Sequence, residues 1–102
     1  MEIIWITGAS SGIGEALARE MASKGHRLIL SARNEAKLNE LKESLPKSEN
    51  VAVLPLDLAQ LENVETVVHQ AKNFFGKIDK LILNAGLSPV SYTHLRAHET
   101  RH

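Results

Sequence analysis

The chain has 102 residues, with 12 Lys and Arg balanced by 12 Asp and Glu, and no Cys. That length holds one small domain. Zero net charge speaks against nucleic acid or an anionic membrane as the main partner, and the missing Cys removes disulfide staples, thiol nucleophiles and Cys-based zinc sites. No apolar run approaches the ~18–20 residues of a membrane span. Glu2 precedes a short apolar run that enters a Gly-rich turn directly, which is not the layout of a signal peptide. A soluble, cytoplasmic chain is the resulting expectation.

Residues 1–88 alternate between strand and helix patterns. Ile3-Ile4-Trp5-Ile6 is a continuous apolar run ending at Thr7-Gly8, which predicts a strand buried on both faces. Ile13, Ala16, Leu17 and Met21 recur at helical spacing from Ile13 to Lys24, and Gly25 stops the pattern. Arg27–Ser31 is a second buried-strand candidate. Asn34 can cap a helix with the stripe Leu38, Leu41 and Leu45, ended by Pro46. Val51–Leu54 predicts a third strand before Pro55. A longer helix, from about Gln60 to Phe75, carries Leu61, Val64, Val67, Val68, Ala71 and Phe75 on one face and ends at Gly76. Leu81–Leu83 is a fourth strand, closing on Asn84-Ala85-Gly86. Short apolar strands separated by helix-length segments predict an α/β fold. Its parallel sheet would be of the Rossmann type, about four strands and three helices, with helices on both faces. No strand or helix pattern continues past Ser88, so the edge of the fourth strand is expected to lie open.

Thr7-Gly8-Ala9-Ser10-Ser11-Gly12-Ile13-Gly14 lies between a predicted strand and a predicted helix, the context in which a Gly-rich motif carries information. Gly8 suits a tight turn off the strand, Gly12 a close approach of a pyrophosphate to the backbone, and Gly14 close packing of helix on sheet. The free N–H groups and positive end of the helix would face the phosphates. An ordinary strand-to-helix turn is the plainer reading.

The spacing is G-x-x-x-G-x-G. With it, residues 1–88 resemble the short-chain dehydrogenase/reductase family along their whole length. Asp57, in Leu56-Asp57-Leu58, corresponds to the family acid that bonds the adenine amino group; alone, it could equally cap the following helix. Asn84-Ala85-Gly86 corresponds to the family motif that supports the sheet beside the cofactor, although Leu83 stands where an Asn is frequent. The resemblance implies a dinucleotide held by Gly8, Ser10, Ser11, Gly12, Ile13, Gly14, Arg33, Asp57, Leu58, Asn84, Ala85 and Gly86. The end of the second strand, Ser31-Ala32-Arg33, has no acid to bind both ribose hydroxyls and repel a 2′-phosphate. Arg33 can fork onto that phosphate, with Ser31 or Asn34 adding hydrogen bonds, so NADP(H) is favoured over NAD(H). Ser11 is not basic, so a second cation in the turn is missing. A solvated Arg33 at a strand end is the alternative.

Residues 90–102 invite two inferences that we set aside. His94, His98 and His102 fall at i, i+4 and i+8, a stack that on a helix could hold a metal. Tyr92 and Arg96 have a Tyr-x-x-x-basic spacing, near the Tyr-x-x-x-Lys of the family's chemistry. Too few residues separate Gly86 from Tyr92 for the crossover helix and strand that precede that Tyr, which need a dozen or more. The string instead resembles a translated transposon-type sequencing adapter. Residues 89–102 are therefore expected to be a non-native or disordered tail.

By the resemblance, the intact relative is longer and pairs as a homo-oligomer. It transfers hydride between a nicotinamide and a carbonyl or secondary alcohol through a Ser and a Tyr-x-x-x-Lys. None of these catalytic groups is assigned here, no metal is expected, and the chain as it stands is expected to be inactive. A non-catalytic dinucleotide-binding module is the alternative, because a fold does not determine a function.

Overall fold

The computed structural model describes residues 1–57, 63–84 and 89–93, the last group at the level of its backbone. The strands are β1 (Ile3–Thr7), β2 (Arg27–Ser31), β3 (Val51–Val53), β4 (Lys80–Asn84) and β5 (Pro89–Thr93). The helices are α1 (Gly12–Ser23), α2 (Glu35–Ser44) and α3 (Val64–Phe75), and a short 3-10 turn spans Ser48–Asn50. The sheet order is β3-β2-β1-β4-β5. The first four strands are parallel, with Trp5 level with Ile29 on one side and Leu81 on the other.

The apolar runs form this sheet because both faces are covered. Every residue of β1 is buried. On one face Ile4, Ile6, Leu28, Leu30, Val51 and Ile82 pack against Ala18 and Ala22 of α1 and the predicted stripe Leu38, Leu41 and Leu45 of α2. On the other, Ile3, Trp5, Ile29 and Ala52 pack against Val68 and Ala71 of α3, with Ile78 beside them. The chain runs β1-α1-β2-α2-β3 outward to one side, then returns through α3 to place β4 against the far side of β1. That reversal puts α3 on the opposite face and opens a crevice at the C-terminal ends of β1 and β4. At the other end of the sheet, Asp79 clamps β1: its N–H donates to the Ile3 carbonyl at 2.8 Å and its Oδ2 accepts from the Ile3 N–H at 2.8 Å.

The structure corrects the predicted pattern at three places. The face of α1 toward the sheet is Gly14, Ala18 and Ala22, whereas Ile13 is 45% exposed and Ala16 is exposed. Apolar periodicity favoured the larger residues, but α1 lies so close to the sheet that only small side chains fit beneath it, with Leu17 and Met21 as flanks. A Cβ on Gly14 would overlap the Gly8 carbonyl oxygen and stand 2.8 Å from Asn84 Nδ2.

The long helix begins at Val64 rather than about Gln60, because Asn63 is its cap: Asn63 Oδ1 accepts the Thr66 N–H at 3.2 Å. Leu61, expected on its apolar face, lies outside the described residues. Val64 is 52% exposed, at the margin of the buried stripe.

The edge of β4 is not open. Residues 89–93, expected to carry no strand, pair with β4 antiparallel, Asn84 opposite Pro89 and Lys80 opposite Thr93. Only four residues, 85–88, separate the two strands. A connection this short permits only an antiparallel return, and β4 offered a row of unpaired backbone groups to receive it.

Two substitutions test this packing. Gly14→Ala is expected to destabilise the chain by about 1–3 kcal/mol, the usual cost of overpacking, measured by urea denaturation. Asn63→Ala is expected to cost about 1 kcal/mol through the lost cap, and Asn63→Asp to recover most of it.

Candidate dinucleotide site

The crevice at the strand ends is a cleft of ≈ 430 Å³. Backbone hydrogen bonds beyond the strands bring its walls together. The Ala9 N–H donates to the Ser31 carbonyl at 3.1 Å, tying the Gly-rich turn to the end of β2. The Leu56 N–H donates to the Ala32 carbonyl at 3.0 Å, bringing Asp57 beside Arg33. On the β4 side, the Asn84 N–H donates to Thr7 Oγ1 and Asn84 Nδ2 to the Gly8 carbonyl, each at 3.2 Å. Thr7 Oγ1 in turn donates to the Ile82 carbonyl at 3.2 Å.

Of the residues expected at the site, Gly8, Ser10, Ser11, Arg33, Asp57 and Asn84 line this cleft, as do Ser31 and Asn34. Gly12, Ile13 and Gly14 do not line it, but they form the start of the helix whose first turn borders it. Leu58, Ala85 and Gly86 lie outside the described residues. So do His94, His98, His102 and Arg96, together with the side chain of Tyr92. Capping of α3 falls to Asn63, so Asp57 is not the cap of that helix.

The first turn of α1 suits an anion. Ser11 is its N-cap in extended conformation, φ −146° and ψ 147°, but its hydroxyl makes no capping hydrogen bond. Its carbonyl accepts from Gly14 and Glu15, and among the described residues the amides of Gly12 and Ile13 have no acceptor. These are the orphan donors of a helix start. Gly12 has φ +46°, a left-handed conformation that favours glycine, and a Cβ there would meet nothing within 4 Å. The backbone is therefore bare where a phosphate would approach it. A dinucleotide fits these residues: two free amides, an uncommitted hydroxyl and an unshielded turn at one end, and a guanidinium with neighbouring hydroxyl and amide groups at the other.

Four lining residues were not anticipated: Thr7, Ala32, Lys37 and Leu56. Thr7, Ala32 and Leu56 come from the strand ends and line the cleft only because those ends converge there. Lys37 had one legible signal, its place one helical turn beyond Arg33, which by itself reads as solvated surface.

Trp5, the single Trp of the chain, reaches the site from the core. Its Nε1 donates to Ser31 Oγ at 2.9 Å, and both residues are buried. A second groove, of ≈ 460 Å³, runs along α3 from Asn63 to Lys72. Its described lining comes from that helix and its cap alone, with no convergence of strand ends.

Known proteins share this arrangement. The chain is 45% identical over 92 residues to 11-beta-hydroxysteroid dehydrogenase A of Sesamum indicum, covering 88% of this chain and 26% of that protein. Among solved structures, it resembles an alcohol dehydrogenase from Thermococcus sibiricus complexed with 5-hydroxy-NADP. The TM-score is 0.70 and the identity 37%, over 78% of this chain and 34% of that one. It also resembles a 3-ketoacyl-(acyl-carrier-protein) reductase from Brucella melitensis complexed with NADH. There the TM-score is 0.67 and the identity 27%, over 76% of this chain and 31% of that one. The chain thus spans 26–34% of the length of these three proteins. A match to the short chain dehydrogenase family model runs through residues 2–101, and the chain belongs to that family.

Proposed function

We propose that the chain is the cofactor-binding part of an NADP(H)-dependent short-chain oxidoreductase acting between a carbonyl and a secondary alcohol. The observation that carries the NADP(H) reading is the end of β2. Arg33 lines the cleft there, and Ser31 and Ala32 stand where an acid would select the unphosphorylated ribose. A guanidinium matches a phosphomonoester with two parallel donors, whereas a ribose hydroxyl offers it no charge.

The residues divide the cofactor between them. The amides of Gly12 and Ile13, with the Ser11 hydroxyl, hold the pyrophosphate, and Asn84 keeps the turn in place through the Gly8 carbonyl. Arg33, aided by Asn34, holds the 2′-phosphate, and Asp57 meets the adenine edge. Leu58, Ala85 and Gly86 are proposed to border the same cofactor. When bound, the dinucleotide supplies or accepts the hydride. No described residue of this chain is assigned to proton transfer. The intact protein is read as a cytoplasmic homo-oligomer that works on small molecules rather than on nucleic acid or membranes. Its remaining strands and catalytic groups would lie beyond Ser88, with residues 90–102 of adapter origin. The small share of each relative that the chain spans supports this.

Three outcomes are expected. Quenching of the Trp5 fluorescence on titration should show NADPH binding roughly tenfold more tightly than NADH, the scale of one charge-assisted contact. Arg33→Gln should bring the two affinities together, and equal binding in the unsubstituted chain would remove the NADP(H) reading. The chain alone should show no NADPH oxidation with carbonyl substrates in a 340 nm absorbance assay. Finally, source DNA read through the Ser88 codon with independent primers should continue into a further strand, a Ser and a Tyr-x-x-x-Lys. A genomic frame that encodes Val90 to His102 and then stops would end the enzyme reading for this chain.

A further inference from the structure

The Gly-rich turn lacks a cation, since Ser11 stands where a second positive group would face the phosphate; the fold supplies that charge from the other wall. Lys37 lines the same cleft as Arg33 and Asn34. Its backbone is held in place: the Lys37 N–H donates to Asn34 Oδ1 at 3.2 Å, and the neighbouring Leu38 is buried in the core. Lys37 therefore stands at a set position in the first turn of α2, and its side chain is exposed on the cleft side.

Two features argue that this Lys serves a ligand rather than the helix. A cation in the first turn of a helix is repelled by the positive end of the helix dipole, so the position is unfavourable for stability. Such a charge would normally be offset by a carboxylate nearby. Yet among the described residues neither Arg33 nor Lys37 has an ion pair, although Glu35 and Glu40 lie on the same helix. The other helix-borne bases near this end of the molecule are committed differently: Arg19 is paired with Glu15 at 3.0 Å. Two unpaired cations and a helix start thus face one cleft, an arrangement that suits a dianionic phosphomonoester better than a phosphodiester or a neutral ribose.

We infer that Lys37 is the second cation at the adenosine end of the cleft. It shares the ribose phosphate with Arg33 and so sets the preference between phosphorylated and unphosphorylated dinucleotide. The inference rests on the NADP(H) reading above and adds to it a residue on α2.

The test uses two small probes that differ by the phosphate alone, adenosine 2′,5′-bisphosphate and adenosine 5′-monophosphate, titrated calorimetrically into the full chain. Lys37→Gln should weaken the bisphosphate roughly tenfold and leave the monophosphate within about twofold. Lys37→Arg, which keeps the charge, should retain both affinities. Circular dichroism melting should show Lys37→Gln as stable as the parent, or slightly more so, given the removed dipole repulsion. If Lys37→Gln binds both probes as the parent does while Arg33→Gln loses the bisphosphate preference, the inference falls and the NADP(H) reading stands. If Lys37→Gln weakens both probes alike, Lys37 shapes the cleft rather than holding the phosphate, and the inference falls again. If the parent chain binds the two probes equally, the NADP(H) reading fails and takes the inference with it.

Discussion

The close approach of α1 to the top of the sheet governs the rest of the site. Gly14 sits against the Gly8 carbonyl and the Asn84 side chain with no room for a methyl group. Asn84 holds that junction from below, bonding Thr7 with its backbone and Gly8 with its side chain. Because the helix starts this close to the strand ends, its first free amides border the cleft instead of pointing into solvent. Moving α1 outward by the width of a side chain would withdraw those donors from the phosphates. The small residues Gly14, Ala18 and Ala22 on the sheet-facing side follow from the same constraint.

The sheet order does the remaining assembly. Two crossovers on one face and one on the other put β1 at the point of reversal, flanked by β2 and β4. The segments that follow β1, β2, β3 and β4 all leave the sheet at the same end, so residues far apart in the chain share one cleft. Trp5 ties this end to the interior, since its indole uses one lone pair of Ser31 Oγ and leaves no unsatisfied donor in the core. A chain with no net charge in this way presents a locally positive cleft, because its acidic residues pair elsewhere, as Glu15 does with Arg19 and Glu2 with Lys80.

Much of this was legible in the residues. The strands were marked by short apolar runs, since a strand covered on both faces has no polar side to interrupt the run. The cap at Asn34, the stops at Gly25 and Gly76 and the stripe of α2 were equally readable, because each depends on residues within a turn or two of one another. The same locality made the Gly-rich turn and Arg33 legible as site residues. The strand over residues 89–93 was not: its residues show little periodicity, and it pairs because β4 presented an edge within reach. Nor was the small-residue face of α1, because periodicity weighs size and hydrophobicity while the actual criterion was the distance between helix and sheet.

The sequence alone thus determined the order of elements, the parallel character of the sheet, the anion-binding turn and the absence of an acid after β2. These are properties of local spacing and side-chain chemistry. Tertiary structure alone decided which face of α1 is buried, that Asn63 rather than an earlier residue begins α3, and that Lys37 joins Arg33 in one cleft. Each of those outcomes depends on where a second element lies in space, and a one-dimensional pattern holds no record of that distance.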